Sequence, residues 1–268
     1  MARSVIRWAG SKRLLLPELR RRAPTAFGSY LEPFAGSCCL FFDLEPKKAI
    51  LGDRNPDLIA ALALVKDDPD FVFRALSRRE ISSDRYYEVR EKFNNMRPGK
   101  NRSLTFLYLN RYCFNGVYRT NKSGQFNVPF GSRTGAPPTI ENYKNCSRLL
   151  GSARLISGDY LSTLKHAKCG DFVYIDPPYL TSTHRYSGEY GYGAFSYRDE
   201  DALVEEIRRL DRLGANVLVS YMPENSVKSA LGKGWRSEVI SVRRQIAGAM
   251  PARGHCSEML MWNFREMR

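Results

Sequence analysis

The stretch Phe172-Val173-Tyr174-Ile175-Asp176-Pro177-Pro178-Tyr179 runs from four apolar residues into two prolines. Aromatic and β-branched residues in a run of this length predict a buried strand. Neither proline donates a backbone hydrogen bond, and each holds its predecessor in extended geometry. The strand therefore ends in a stiff, carbonyl-rich turn, with a carboxylate just before it and an aromatic ring just after. In open α/β sheets, ligands bind at the carboxyl ends of strands. A carboxylate, fixed carbonyls and a stacking ring suit a planar group carrying an NH₂, such as the exocyclic amine of a nucleobase. The same residues also fit a plain strand followed by a Pro-Pro loop, so their partners elsewhere decide.

Outward from this stretch, the chain reads as alternating α and β. A basic helix is expected over 12–22, a short strand over 30–32, a helix over 38–44 and a strand from Ala49 to Asp53. Asn55 is placed to cap a further helix, with Pro56 at its first position. Helical periodicity continues from 67 to about 109, broken near Asp84 and Pro98. Asn121-Lys122-Ser123-Gly124 has turn composition between short aromatic runs and predicts a hairpin. Strand character returns at 154–157, 172–175 and 216–220, with an amphipathic helix over 199–213. The segments 239–242 and 258–264 read as a closing antiparallel pair. The expected organisation is a discontinuous α/β unit, 1–60 and 141–268, around a mainly helical insert, 61–140.

Length and composition bound the function. The chain has 268 residues and 43% hydrophobic content, enough for a large core. No apolar stretch approaches the ~20 residues of a membrane span, and the start lacks a secretory core. A cytoplasmic location follows as an expectation. The six cysteines form no Cys-x-x-Cys pair and the three histidines show no metal spacing. Reduced thiols and no metal are expected. Net charge is +14, with pI ≈ 9.6. Between Lys92 and Ile140 stand eight basic residues and no Asp or Glu, interleaved with Phe106, Tyr108, Tyr112, Phe114, Tyr118, Phe126 and Phe130. That pattern predicts a nucleic-acid footprint.

Three motifs accompany the 172–179 stretch. Glu32-Pro33-Phe34-Ala35-Gly36-Ser37 joins a strand to a helix, and small residues there let a ligand approach the backbone. Asp53 ends the next strand at the spacing of an acid that binds ribose hydroxyls, although capping the following helix is an equal alternative. Arg7-Trp8-Ala9-Gly10-Ser11-Lys12 places an indole beside a glycine and a lysine, suited to a charged small molecule or to anchoring the amino-terminal arm.

These motifs stand in a recognisable order: 8–12, 32–37, Gly52-Asp53-Arg54-Asn55, Arg111-Tyr112-Cys113-Phe114-Asn115-Gly116, Gly124-Gln125-Phe126-Asn127-Val128-Pro129-Phe130-Gly131 and 176–179. Together they resemble the Dam-type (class alpha, D12 family) DNA adenine N6-methyltransferases over nearly the whole chain. The resemblance implies a Rossmann-like methyltransferase sheet, S-adenosyl-L-methionine as cofactor, and methyl transfer to adenine N6 in double-stranded DNA. It implies a cofactor site made by Trp8, Ala9, Gly10, Lys12, Glu32, Pro33, Phe34, Ala35, Gly36, Ser37, Asp53, Asp159 and Asp176. It implies catalysis by Asp176, Pro177, Pro178 and Tyr179. DNA contacts are expected from Lys100, Arg102, Phe114, Asn115, Gly116, Arg119, Asn121, Pro129 and Arg133. Two positions depart from the family pattern: Cys38 replaces a glycine of the cofactor loop, and Ser132 stands where a basic residue is frequent. A monomer acting on DNA is expected, with or without a restriction partner.

The chemistry follows. The adenine N6 lone pair is delocalised into the ring. Hydrogen bonds from the amine to Asp176 and to the Pro177 carbonyl draw the nitrogen toward tetrahedral geometry and stabilise its developing positive charge. A duplex base is unreachable in the stack, so it must flip out, with Tyr179 as the expected stacking partner and residues 181–194 closing over it. Arg119 is expected to read a guanine, with GATC the leading target, or else to contact a phosphate. Competing readings are cytosine N4 or RNA adenine methylation, and a DNA-binding module without catalysis. A nicotinamide dehydrogenase is a weaker third, because Gly-x-Gly-x-x-Gly is absent.

Overall fold

The structure is a computed structural model, described for residues 3–132, 134–179, 195–223, 227–243 and 255–265. Seven strands form one sheet: β1 (Tyr30–Glu32), β2 (Ala49–Asp53), β3 (Ala153–Ser157), β4 (Phe172–Ile175), β5 (Asn216–Tyr221), β6 (Arg236–Arg243) and β7 (His255–Trp262). Their order is β3-β2-β1-β4-β5-β7-β6. All pairings from β3 to β5 are parallel, while β7 runs antiparallel to both β5 and β6. This mixed, mostly parallel sheet is consistent with the methyltransferase fold the motifs implied. Successive strands are added outward in one direction from β1 and in the other from β4, and these two are neighbours, so the crevice for a ligand is expected at their carboxyl ends.

The central strand shows why its sequence is apolar throughout. Phe172 and Tyr174 point into one buried cluster, Val173 and Ile175 into the other, on opposite faces of the sheet. The cluster under Phe172 and Tyr174 includes residues of α1 (Leu16–Arg22), α2 (Cys39–Leu44) and α3 (Pro56–Asp67). The opposite cluster is covered by α8 (Tyr160–Leu164), α9 (Tyr197–Leu213) and α10 (Val227–Leu231).

Local signals set the helix starts. Asn55 accepts the amides of Asp57 (3.0 Å) and Leu58 (3.2 Å), with Pro56 in the first turn, so α3 starts as expected. Ser196 and Asp199 form a reciprocal capping box on α9, and Gly214 ends that helix at φ 81°. The expected basic helix over 12–22 divides into a 3₁₀ turn, Lys12–Leu15, and α1.

The segment 61–140 supplies α4 (Pro69–Ser77), α5 (Ser83–Asn94) and α6 (Lys100–Tyr112), and α7 (Ile140–Leu150) follows it. The boundary placed at 60/61 falls inside α3, which packs against α6, α7 and β3 alike. Tyr86, Phe93, Phe106 and Tyr108 belong to the same buried cluster as Phe172, so this segment shares a core with the sheet. The expected hairpin is a turn held by two isolated antiparallel bridges, Thr120↔Phe126 and Cys113↔Phe130. A longer ladder does not form between them because the 3₁₀ turn Phe114–Gly116 interrupts one side.

Candidate active site

Topology gathers the carboxyl ends of β1, β2 and β4 on one edge, bringing Glu32, Asp53 and Asp176 together. At the centre is Lys12, only 5% exposed. Its ammonium lies 2.9 Å from Asp176 Oδ1 and 3.2 Å from Glu258 Oε1, and donates to the Gly10 carbonyl at 3.3 Å. Burial alone would lower its pKa, but the two carboxylates outweigh burial and hold it above the ordinary lysine value. Lys12 also sits 4.8 Å from the centroid of the Tyr179 ring. The Tyr179 hydroxyl donates to Glu258, and its ring meets Tyr221 edge-on at 5.1 Å. Burial, then Asp176 and Glu258, push the Tyr179 phenol well above its usual range.

The loop after β1 is built for close backbone approach. Gly36 adopts φ +45°, and a Cβ there would lie 2.8 Å from the Trp8 indole. Trp8 is half-buried, and its indole stacks on Tyr118 at 6.2 Å. Ser11 and Ser37 share a hydroxyl bond of 2.9 Å. Pro33 and Ala35 are buried, and Phe34 stacks on Tyr160 at 5.5 Å. Cys38, in the place of the family glycine, takes the left-handed conformation that glycine favours, φ 52° and ψ 32°. Its amide donates to the Ala35 carbonyl, so the loop keeps its turn at a strain of about 1–2 kcal/mol.

Asp53 accepts the amides of Gly36 (3.0 Å) and Asn55 (2.9 Å), tying the end of β2 to the loop after β1. Burial raises its pKa despite these bonds. Its backbone carbonyl accepts the Gly158 amide at 3.0 Å, which brings the following residue, Asp159, alongside. Asp159 is exposed and caps α8 through the Ser162 amide. Glu32 is buried and accepts the Tyr30 hydroxyl at 3.0 Å. Burial, with Asp176 and Asp53 nearby, raises its carboxyl well above the usual range. Pro177 is buried and Pro178 and Tyr179 half-buried behind Asp176.

The residues expected on DNA separate into two sets. Phe114, Asn115, Arg119, Asn121 and Pro129 are exposed. Arg119 Nε donates to the Asn127 side chain at 3.0 Å, and Asn121 Oδ1 organises the turn through the amides of Ser123 and Gln125. A cavity of about 540 Å³, lined by Tyr87, Arg90, Asn94, Gln125 and Asn127, opens beside this turn. Gly116, in contrast, is buried, where a Cβ would come within 2.8 Å of Arg7. Lys100 pairs with Asp68 at 3.2 Å. Arg102 is engaged as a staple: it grips both oxygens of Asp57 (2.6 and 2.8 Å) and the carbonyls of Phe93 and Met96. The interleaved aromatics also need correction as a footprint. Phe106, Tyr108 and Tyr112 are buried because α6 is enclosed on nearly every side, and Tyr118 and Phe126 are buried against Phe106 and Phe93. Arg133 and residues 181–194 lie outside the described residues.

Two contributors escaped the sequence. Glu258 is the single acid heading the apolar run Met259-Leu260-Met261-Trp262, a signal visible only once its partner is known. Asn110 clamps Arg7 through both backbone atoms, at 2.9 and 2.6 Å, fixing the arm that carries Trp8 and Lys12. Among the described residues, no His, Cys, Asp and Glu group could hold a metal, and no helix is long and apolar enough to cross a membrane.

Comparison with known proteins matches this arrangement to a family. The sequence model of the D12 class N6 adenine-specific DNA methyltransferases matches residues 8–246. The type II methyltransferase M1.LlaDCHI of Lactococcus lactis subsp. cremoris is 33% identical over 274 residues, covering 98% of this chain and 95% of its own. A DNA adenine methylase of Serratia marcescens is 35% identical over 271 residues, covering 96% and 97%. The type II methyltransferase M.MjaIII of Methanocaldococcus jannaschii is 31% identical over 268 residues, covering 90% and 91%. The carboxylates gathered at the switch point, the glycine loop before α2 and this whole-length likeness agree: the chain belongs to the D12 class of N6 adenine-specific DNA methyltransferases.

Proposed function

We propose that this enzyme takes its methyl group from S-adenosylmethionine and acts on an adenine flipped out of double-stranded DNA, within GATC. The observation that carries the reading is the Lys12–Asp176 pair at the carboxyl end of β4, beside the switch point. The residues present fit the cofactor. Asp53 offers a half-buried carboxylate for ribose hydroxyls, the Phe34–Ser37 turn, packed against Trp8, would lie beneath the methionine portion, and the exposed Asp159 would meet the adenine. When bound, S-adenosylmethionine supplies an electrophilic methyl on a sulfonium.

The chain's own groups act on the acceptor. The Asp176 carboxylate and the Pro177 carbonyl accept hydrogen bonds from the adenine amine. They draw N6 toward tetrahedral geometry and offset the positive charge that develops there. Lys12, 2.9 Å from one oxygen of Asp176, holds that carboxylate in place and leaves its other oxygen for the amine. Tyr179 presents its ring beside the acceptor. Segment 61–140 is read as the target-recognition part, with Phe114, Asn115, Arg119 and Asn121 exposed for base or backbone contacts.

The test of target reading uses Arg119. Methylating a randomised duplex library with the wild type and Arg119→Ala, then sequencing the products, separates two roles. A base contact predicts relaxed choice at one position, at a cost of about 1–3 kcal/mol there. A uniform drop with the preference intact would assign Arg119 to a phosphate. Wild-type products without GATC would remove that target.

A further inference from the structure

Glu258 lies where the sheet geometry lets one residue touch both halves of the site. Strand β7 runs antiparallel to β5, with Tyr221 opposite Met259, so Glu258 lies just past the carboxyl end of β5. That is the edge where β1 and β4 also end. Met259 and Met261 belong to the cluster beneath α9, whereas Leu260 and Trp262 belong to the opposite one. The two-residue period places Glu258 with the second pair, on the face covered by α1 and the turn that carries Lys12.

Its contacts are specific. Glu258 is 2% exposed, and the same oxygen, Oε1, accepts the Tyr179 hydroxyl and lies 3.2 Å from the Lys12 ammonium. Asp176, Glu258 and the Gly10 carbonyl match the three donors of that ammonium. Lys12 in turn holds Asp176 and sits over the Tyr179 ring. The two ends of the 176–179 turn are thus joined through one carboxylate that belongs to another strand. A buried carboxylate is retained only where its charge and lone pairs are used, and here both uses lead to the turn.

We propose that Glu258 is a positioning residue for methyl transfer: through Lys12 and Tyr179 it fixes the 176–179 turn against the substrate amine. The inference rests on the reading of Asp176 as the acceptor of that amine. Small displacements of reacting groups are costly, on the order of 10²-fold for about 1 Å.

The experiment uses full-length Glu258→Ala and Glu258→Gln, each alone and in a Tyr179→Phe background. Methyl transfer to duplex DNA from labelled S-adenosylmethionine is measured, with cofactor affinity by calorimetry and folding by circular dichroism. Glu258→Ala should lower kcat by about 10- to 100-fold, with cofactor Kd and KM for DNA within about threefold of wild type. Glu258→Gln keeps an oxygen acceptor and should recover part of the loss. In the Tyr179→Phe background, where one partner is already gone, the same changes should cost several-fold less. Wild-type kcat in a folded Glu258→Ala, or equal fold losses in both backgrounds, would overturn the proposal. If Glu258→Ala does not fold, the Glu258→Gln pair decides by the same comparison. Asp176→Ala run in parallel separates the failures. Turnover by Asp176→Ala would remove the reading of the site and this inference with it, whereas its inactivity beside wild-type Glu258 variants would remove the inference alone.

Discussion

Replacing Lys12 by methionine tests the charge arrangement at the site directly, because it removes the ammonium and keeps most of the side-chain volume. In the native protein the ammonium faces Asp176 at 2.9 Å and Glu258 at 3.2 Å, with the lysine and the glutamate almost fully enclosed. At an effective dielectric of about 20, each pair attracts by roughly 5 kcal/mol before desolvation. Desolvating three charges cancels much of that sum. Removing the cation nevertheless leaves the buried Glu258 and the partly buried Asp176 without it, which costs about 3–5 kcal/mol. The pH dependence has a definite sign. The Lys12 pKa is raised in the folded state, so its contribution is fully present below the ordinary value of 10.5 and is lost as pH rises through the folded value. Lys12→Met lacks this contribution, so its deficit should hold up to about pH 10 and shrink as pH rises above 10.5. Urea unfolding of both proteins at pH 8, 10 and 11 measures this. A loss under about 1 kcal/mol at pH 8, or a deficit that does not shrink at pH 11, would refute the pairing.

Three further outcomes are expected. Arg102→Met should cost about 3–5 kcal/mol by orphaning Asp57 and leave the salt dependence of DNA affinity unchanged, whereas Lys122→Gln should flatten that slope by about 0.9 if it meets a phosphate; fluorescence anisotropy across salt concentrations distinguishes them. Glu32→Gln should stabilise the protein at pH 8 and lose its advantage near pH 4: the raised Glu32 pKa makes the native state hold its proton, so wild-type stability falls as pH rises above the ordinary 4.5. Parallel thermal-melt curves across pH would contradict this. Among the described cysteines, the exposed Cys169 should be alkylated first at neutral pH, because burial pushes Cys39, Cys113 and Cys146 up to about 12 and Cys38 well above its usual value; mass spectrometry of the labelled peptides reads the order.

Particular residues show what could be read in advance. Strand β4 was legible to the residue, because both its faces are buried and a proline follows directly after Asp176. The start of α3 was legible because Asn55 and Pro56 act locally. The last strand reads as 258–264 from its apolar residues but spans His255–Trp262, since Asn263 turns away to bond the Val217 amide and Asp211. Arg102 misled because charge in a sequence carries no record of its partner; Asp57 comes from another helix. The aromatics of α6 misled in the same way, as rings packed in a core and rings awaiting a base have one composition. Glu258 was silent because its meaning depends on Lys12, at the other end of the chain.

The most direct test of the account is nucleoside analysis of duplex DNA treated with labelled S-adenosylmethionine and either the wild type or Asp176→Ala. The account predicts N6-methyladenine from the wild type and a loss on the order of 10²-fold or more from the variant, with the fold intact by circular dichroism. Methylation by a folded Asp176→Ala at near the wild-type rate, or label recovered on cytosine, would contradict it.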